Sequence, residues 1–289
     1  MPFTPPLADM RQPAPSDLNS DCSSCFGLCC VALPYAASSD FALDKPAGQP
    51  CSHLKTDFRC SVHTDLRKIG YRGCTVYDCF GAGQKVSLRT FEGTDWRNCP
   101  DIATSMFTVF PVMRQLHELL WYMREAIGLS AAAPVREELT RMTHEVETLT
   151  ELPPESIMRL DVATHRAEIN VLLTEASELA RAAARAEAEA ATGRKRHVRH
   201  GRGADFIGAK LGRADFSFGN LRGAYLIAAD LRGAAFSFTD LTGADLRDAD
   251  LRGADLADTL FLTQMQLNAA VGDKFTRIPA ALSRPMHWR

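Results

Sequence analysis

The chain has 289 residues, of which 46% are hydrophobic and 24% charged, with a formal net charge of −2. This is enough apolar material for two or three globular units, and it excludes a disordered composition. The near-neutral balance excludes a global field for nucleic acid or membrane, so binding of that kind would need a local patch.

Residues 1–20 are proline-rich and poor in apolar residues, which predicts a flexible leader. No basic stretch followed by an apolar segment opens the chain, and no run approaches the roughly 18 apolar residues that span a bilayer. The expectation is a cytoplasmic protein without a membrane partner. Nine cysteines, all before residue 100, are then unsuited to a disulfide framework.

Residues 21–100 read as a cysteine-rich, metal-bound domain. Cys22-Ser-Ser-Cys25-Phe-Gly-Leu-Cys29-Cys30 opens it, and Cys51, Cys60, Cys74 and Cys79 follow. Two residues between cysteines form a tight knuckle that can turn both sulfurs to one ion, and thiolates select zinc or iron–sulfur over hard cations. Glycines at 27, 70, 73, 81 and 83 suggest loops held by a metal rather than by a large core. Together with Cys51-Ser-His-Leu54, Cys60-Ser-Val-His63 and Cys74-x4-Cys79, the opening motif resembles the zinc- or iron-chelating cysteine-cluster family. Here His63 stands where that family has tyrosine, and Arg72-Gly73 where it often has Arg-Pro. The resemblance implies that all eight cysteines ligate either zinc or a 4Fe-4S cluster, without indicating a reaction.

Four thiols suffice for a zinc or a cubane, so eight divide either into two sites or into one site plus structural or redox-active cysteines. Adjacent Cys29 and Cys30 point in different directions, which favours two centres or one ligand and one spare. Cys99 lies outside the motif and reads as a small buried residue. His53 and His63 read as solvated or supporting groups.

Residues 101–192 predict a helical bundle. Met106, Val109, Met113, Leu116, Leu120, Met123 and Ile127 form one apolar stripe. Val135, Leu139, Met142, Val146 and Leu149 form a second, and Met158, Val162, His165, Ile169, Leu172, Ala176, Leu179 and Ala183 a third. His165 reads as a core histidine. The basic stretch at 193–203 reads as a solvated linker at a helix C-terminus, where positive charge is favoured.

From Ala204 a period of five takes over. Its centres are Phe206, Leu211, Phe216, Leu221, Leu226, Leu231, Phe236, Leu241, Leu246, Leu251, Leu256 and Phe261, each with a small residue two places earlier. Neither helix nor flat strand keeps both positions buried, whereas a coil that turns a corner every five residues does. Residues 204–263 thus resemble the pentapeptide-repeat family. That resemblance implies a right-handed quadrilateral β-helix of about three coils, closed by residues 264–289 as a capping tail. The expected fold class is α+β multidomain: metal-bound cysteine domain, helical bundle and short β-helix.

Three coils at a ladder spacing of about 4.8 Å make a solenoid about 14 Å tall. That length matches only about four base pairs, so DNA mimicry toward gyrase, known in the family, is not expected, and nucleic acid is not a predicted partner. Phe218 with Phe238, and Ile207 with Ile227, stack twenty residues apart at outward positions, which predicts a buried contact there: the bundle, or a protein partner. The functional expectation is a metal-binding protein whose repeats act as scaffold or docking surface. The alternative is an iron–sulfur-dependent modifying enzyme, because flagellin lysine N-methylase carries a related cysteine cluster. No catalytic constellation is legible.

Overall fold

The computed structural model describes residues 16–199 and 201–288, so most of the predicted leader and His200 of the linker lie outside the described residues. The chain forms two units: Ala14–Arg124 with Glu138–Val171, called here the thiol unit, and Glu125–Glu137 with Leu172–Arg289, the repeat unit. The helices are α1 (Leu28–Val31), α2 (Arg72–Val76), α3 (Ala82–Lys85), α4 (Ala103–Gly128), α5 (Arg136–Thr150), α6 (Pro154–Ile157), α7 (Val162–Thr192) and α8 (Gln264–Ala269).

In the thiol unit, spacings of three and four put Met106, Val109, Met113, Leu116, Leu120 and Met123 on one face of α4, and all are buried. Leu139, Met142 and Val146 of α5 are buried in the same manner. The cysteine segments have an apolar floor of their own. Leu28, Val31, Ala82, Val86 and Phe91 form a cluster with Met106, Val109, Phe110 and Met113 of α4, and the partly buried Cys25, Cys29 and Cys79 pack against it. The expectation that a metal replaces a core in residues 21–100 is therefore corrected, because α4 supplies apolar surface from outside that stretch. A chain of rings reinforces it: Phe26 to Phe58 at 5.3 Å, Phe58 to Trp96 at 5.7 Å and Trp96 to Phe107 at 5.5 Å.

His165 is half-buried rather than in the core, its Nδ1 lying 3.6 Å from Glu145.

The repeat unit is a β-helix with twenty residues per coil. Parallel bridges join Asp205 to Tyr225, Lys210 to Asp230, Asp215 to Ala235 and Asn220 to Asp240, and the same step continues to Leu260. Each five-residue side ends in a turn that places the second residue after the centre at positive φ, from Gly208 to Gly253. Glycine suits that position, whereas Phe218 (φ 62°) and Phe238 (φ 50°) adopt it at a steric cost. The tail prolongs the ladder before closing it. Val271 pairs with Asp250 and Arg277 with Asp255, and Trp288 joins the repeat core with Leu267 and Ala270.

Phe218 is 6% exposed and packs with Ala184 and Ala188 of α7, Phe238 lying partly buried beside it. These two side chains are therefore not a free partner surface, and the helix alternative holds for them. Ile207 remains 56% exposed, and Ile227 is intermediate. The buried stripe of α7 in the repeat unit is Leu173, Ala176, Ala180, Ala184 and Ala188, one residue on from the predicted Leu172, Leu179 and Ala183. Small side chains let a helix backbone approach the flat side of a coil, which a leucine ridge would hold away.

Candidate metal centre

The cysteine motif folds as short elements anchored to α3 and α4. Gly27, at φ 66°, starts α1, and the Cys30 N–H donates to its carbonyl at 2.9 Å. Cys29 and Cys30 consequently occupy adjacent positions of one short helix, their sulfurs 3.9 Å apart. All nine cysteines are free thiols.

Three of the predicted ligands collect around α3. The Asp21 N–H donates to Gln84 Oε1 at 3.1 Å, which brings the segment leading into Cys22 to this helix. A Cβ placed on Gly83 would stand 2.8 Å from Cys25 Sγ and 3.5 Å from Cys79 Sγ, so both sulfurs face the same backbone point. Ser20 Oγ lies 3.1 Å from Cys79 Sγ. Tyr77, two residues before Cys79, has a buried hydroxyl with no hydrogen-bond partner. Burial raises its pKa, opposed by Arg114, and the charges of Cys79 and Cys29 raise it further.

The others collect around Tyr35 and Lys45. The Cys51 N–H donates to the Cys30 carbonyl at 3.0 Å, and Leu54, whose N–H bonds back to Cys51, pairs with Cys60 in an antiparallel bridge. Tyr35 donates its hydroxyl to Cys51 Sγ at 3.6 Å. Its ring meets Tyr71 edge-on at 6.2 Å, and the Cys74 N–H donates to the Tyr71 carbonyl at 3.2 Å.

Burial is the first cause that raises Cys22, Cys25, Cys60 and Cys74. Desolvation, followed by the charges of Cys79 and Cys25, pushes Cys22 up to about 11. Desolvation followed by Cys30, Cys51 and Cys60 pushes Cys74 up to about 12. The hydrogen bond between Cys29 and Cys30 is the first cause for both, raising Cys29 and lowering Cys30, and Lys45 adds to the lowering. Among the described residues, no three side chains of His, Cys, Asp or Glu already stand in an ion-holding arrangement. The thiols are grouped but not converged. Cys99 lies apart from both groups in its bonding, its N–H donating to the Asp95 carbonyl. His63 is exposed, and His53 sits edge-on to Tyr71 at 5.2 Å.

Sequence reasoning missed Lys45. It is 5% exposed, and its ammonium donates to the carbonyls of Val31 (3.3 Å), Pro46 (3.1 Å) and Gln49 (3.0 Å). The residue after Cys30 is thereby tied to the run leading into Cys51. Nothing in Asp44-Lys45-Pro46 distinguishes it from a surface lysine. Lys45→Met keeps the apolar stem and strands three carbonyls, so the thiol unit is expected to lose about 2–3 kcal/mol in chemical denaturation. An unchanged midpoint would show that water replaces the ammonium.

Residues 220–258 match the pentapeptide repeat family, with eight copies. Over 273 residues the chain is 55% identical to the uncharacterized protein YybG of Bacillus subtilis (strain 168), covering 94% of this chain and 95% of that protein. It is also similar to a crystal structure of the pentapeptide repeat protein Rfr23 from the cyanobacterium Cyanothece 51142, at 31% identity and a TM-score of 0.25. That match covers 27% of this chain and about half (53%) of Rfr23. The pentapeptide repeat protein alr5209 of Nostoc Pcc 7120 matches at 32% identity over 35% of this chain and 93% of its own, with a TM-score of 0.23. No helix among the described residues is long and apolar enough to cross a membrane. By the extent and identity of the match to YybG, the chain belongs to the YybG family, and its C-terminal half carries pentapeptide repeats.

Proposed function

We propose that this protein binds zinc or an iron–sulfur cluster through Cys22, Cys25, Cys29, Cys30, Cys51, Cys60, Cys74 and Cys79, and that its repeats serve as scaffold or docking surface for a protein partner. The observation that carries the reading is that free thiols from separate stretches of the sequence gather in two groups, with Cys25, Cys29 and Cys79 packed against one apolar floor. The donor set fits a soft ion: eight sulfurs satisfy four-thiolate coordination of zinc or of a cubane. The unpartnered Tyr77 hydroxyl, packed on the same floor as Cys29 and Cys79, also fits, because a thiolate or bridging sulfide would accept a hydrogen bond from it. A bound ion would supply a fixed positive charge or an electron-transfer centre. The chain's own residues hold the thiols in place, with Tyr35 and Ser20 as hydroxyl neighbours and Lys45 as the brace between segments. On the repeat, the docking reading falls to Ile207 and Ile227, since α7 covers Phe218.

Anaerobic purification followed by an absorption spectrum and analysis for iron, zinc and acid-labile sulfide tests the reading. Bound metal is expected, and a chelator is expected to lower the unfolding temperature of the thiol unit, because ligand binding to the folded state stabilises it. Protein that carries no metal and is indifferent to chelator overturns the proposal.

A further inference from the structure

We propose that the eight thiols form two adjoining centres, Cys22, Cys25, Cys29 and Cys79 in one and Cys30, Cys51, Cys60 and Cys74 in the other. This rests on the metal-binding reading above and extends it, by stating how many centres the thiol unit holds and which residues serve each.

Three of the first set gather at α3: Cys25 and Cys79 flank Gly83, and Gln84 holds the residue before Cys22. Backbone bonds link the second set in sequence, Cys30 to Cys51, Cys51 to Leu54, and Leu54 to Cys60, while Tyr71 and Tyr35 bring in Cys74. Cys29 and Cys30 remain to be assigned. Neighbouring residues of a helix do not share a face, so the two belong to different sets. Cys30 goes with Cys51, to which its carbonyl is bonded. Cys29 goes with Cys25 and Cys79, which pack with it and with Tyr77 against the same apolar cluster. Each set then has four sulfurs, the number that a tetrahedral zinc or a cubane needs. Each also has one tyrosine hydroxyl, Tyr77 in the first and Tyr35 in the second. The 3.9 Å contact between Cys29 and Cys30 makes the centres neighbours.

Native mass spectrometry with metal and sulfide analysis of the anaerobically purified full chain counts the centres. Two equivalents per chain are expected, either two zinc or about eight iron with matching sulfide for two cubanes. Cys22→Ser/Cys25→Ser and Cys51→Ser/Cys60→Ser should each retain half the wild-type content. Wild-type protein with a single equivalent, lost by both variants, overturns the division and leaves the metal reading standing. Wild-type protein without metal overturns both. If a variant does not fold, thiol alkylation of the native wild type during stepwise chelation gives the same answer. The four thiols of one set should become reactive together and before the other four, and all eight opening as one group would overturn the division.

Discussion

Asp240→Ala is expected to lower the stability of the repeat unit by about 3–5 kcal/mol, because it removes the acceptor at the middle of a buried charge cluster. Asp240 is fully buried, and Ser177 Oγ donates to it at 2.6 Å, the Thr242 N–H at 2.9 Å, Thr242 Oγ at 2.6 Å and Arg222 Nη1 at 3.3 Å. Arg181, also buried, donates from Nε to Ser177 Oγ at 3.2 Å. Desolvation lowers the Arg181 pKa, and Asp240 acts against that lowering. With the carboxylate gone, two guanidinium groups would share a space that water does not reach freely. Asp230→Ala supplies the comparison. It removes the aspartate from the equivalent place in another repeat, where Arg232 partners it on the open surface at 2.6 Å, and solvent there takes over much of the lost interaction. Urea denaturation of both variants checks the argument, and an Asp240→Ala loss no larger than that of Asp230→Ala would count against a buried network.

That contrast marks what is legible in a repeat sequence. The period of five places every centre residue from Phe216 to Leu256 in the core, and all are buried. It gives Asp230 and Asp240 the same slot and cannot separate them, because the difference comes from Ser177 and Arg181 on α7. The twenty-residue register likewise stacks Phe218 on Phe238 and marks a covered place, but it does not say what covers them. The covering stripe of α7 is mostly alanine, and a reading that weights large apolar residues follows Leu172 and Leu179 instead. In the thiol unit the cysteines announce themselves by spacing. The residues that arrange them do not: the contacts of Lys45, Tyr35 and Gly83 include Val31, Cys51 and Cys25, which lie 14, 16 and 58 positions away, and no local pattern encodes those.

Phe236→Ala is the second substitution with a large expected effect, about 3–5 kcal/mol in the repeat unit. The Phe236 side chain has no exposure and stacks on Phe216 of the preceding coil, ring centroids 5.3 Å apart and planes 16° from parallel. What fixes the magnitude is whether the surroundings can collapse into the space left behind. Here they are held on both sides: the Phe236 N–H donates to the Asp255 carbonyl at 2.9 Å, and the Ala235 N–H donates to the Ala214 carbonyl at 2.9 Å. Adjacent coils cannot close the gap without breaking that ladder, so the cavity should persist and the cost should lie toward the upper end of the range. Phe236→Leu tests the reasoning from the other side. Leucine is the usual centre residue and occupies the same column at Leu256, so this variant should cost less than about 1.5 kcal/mol. Both values come from urea midpoints at unchanged slope. If alanine costs no more than leucine, the coils relax toward each other more than their hydrogen bonds suggest, and the β-helix would then be a softer scaffold than its ladder implies.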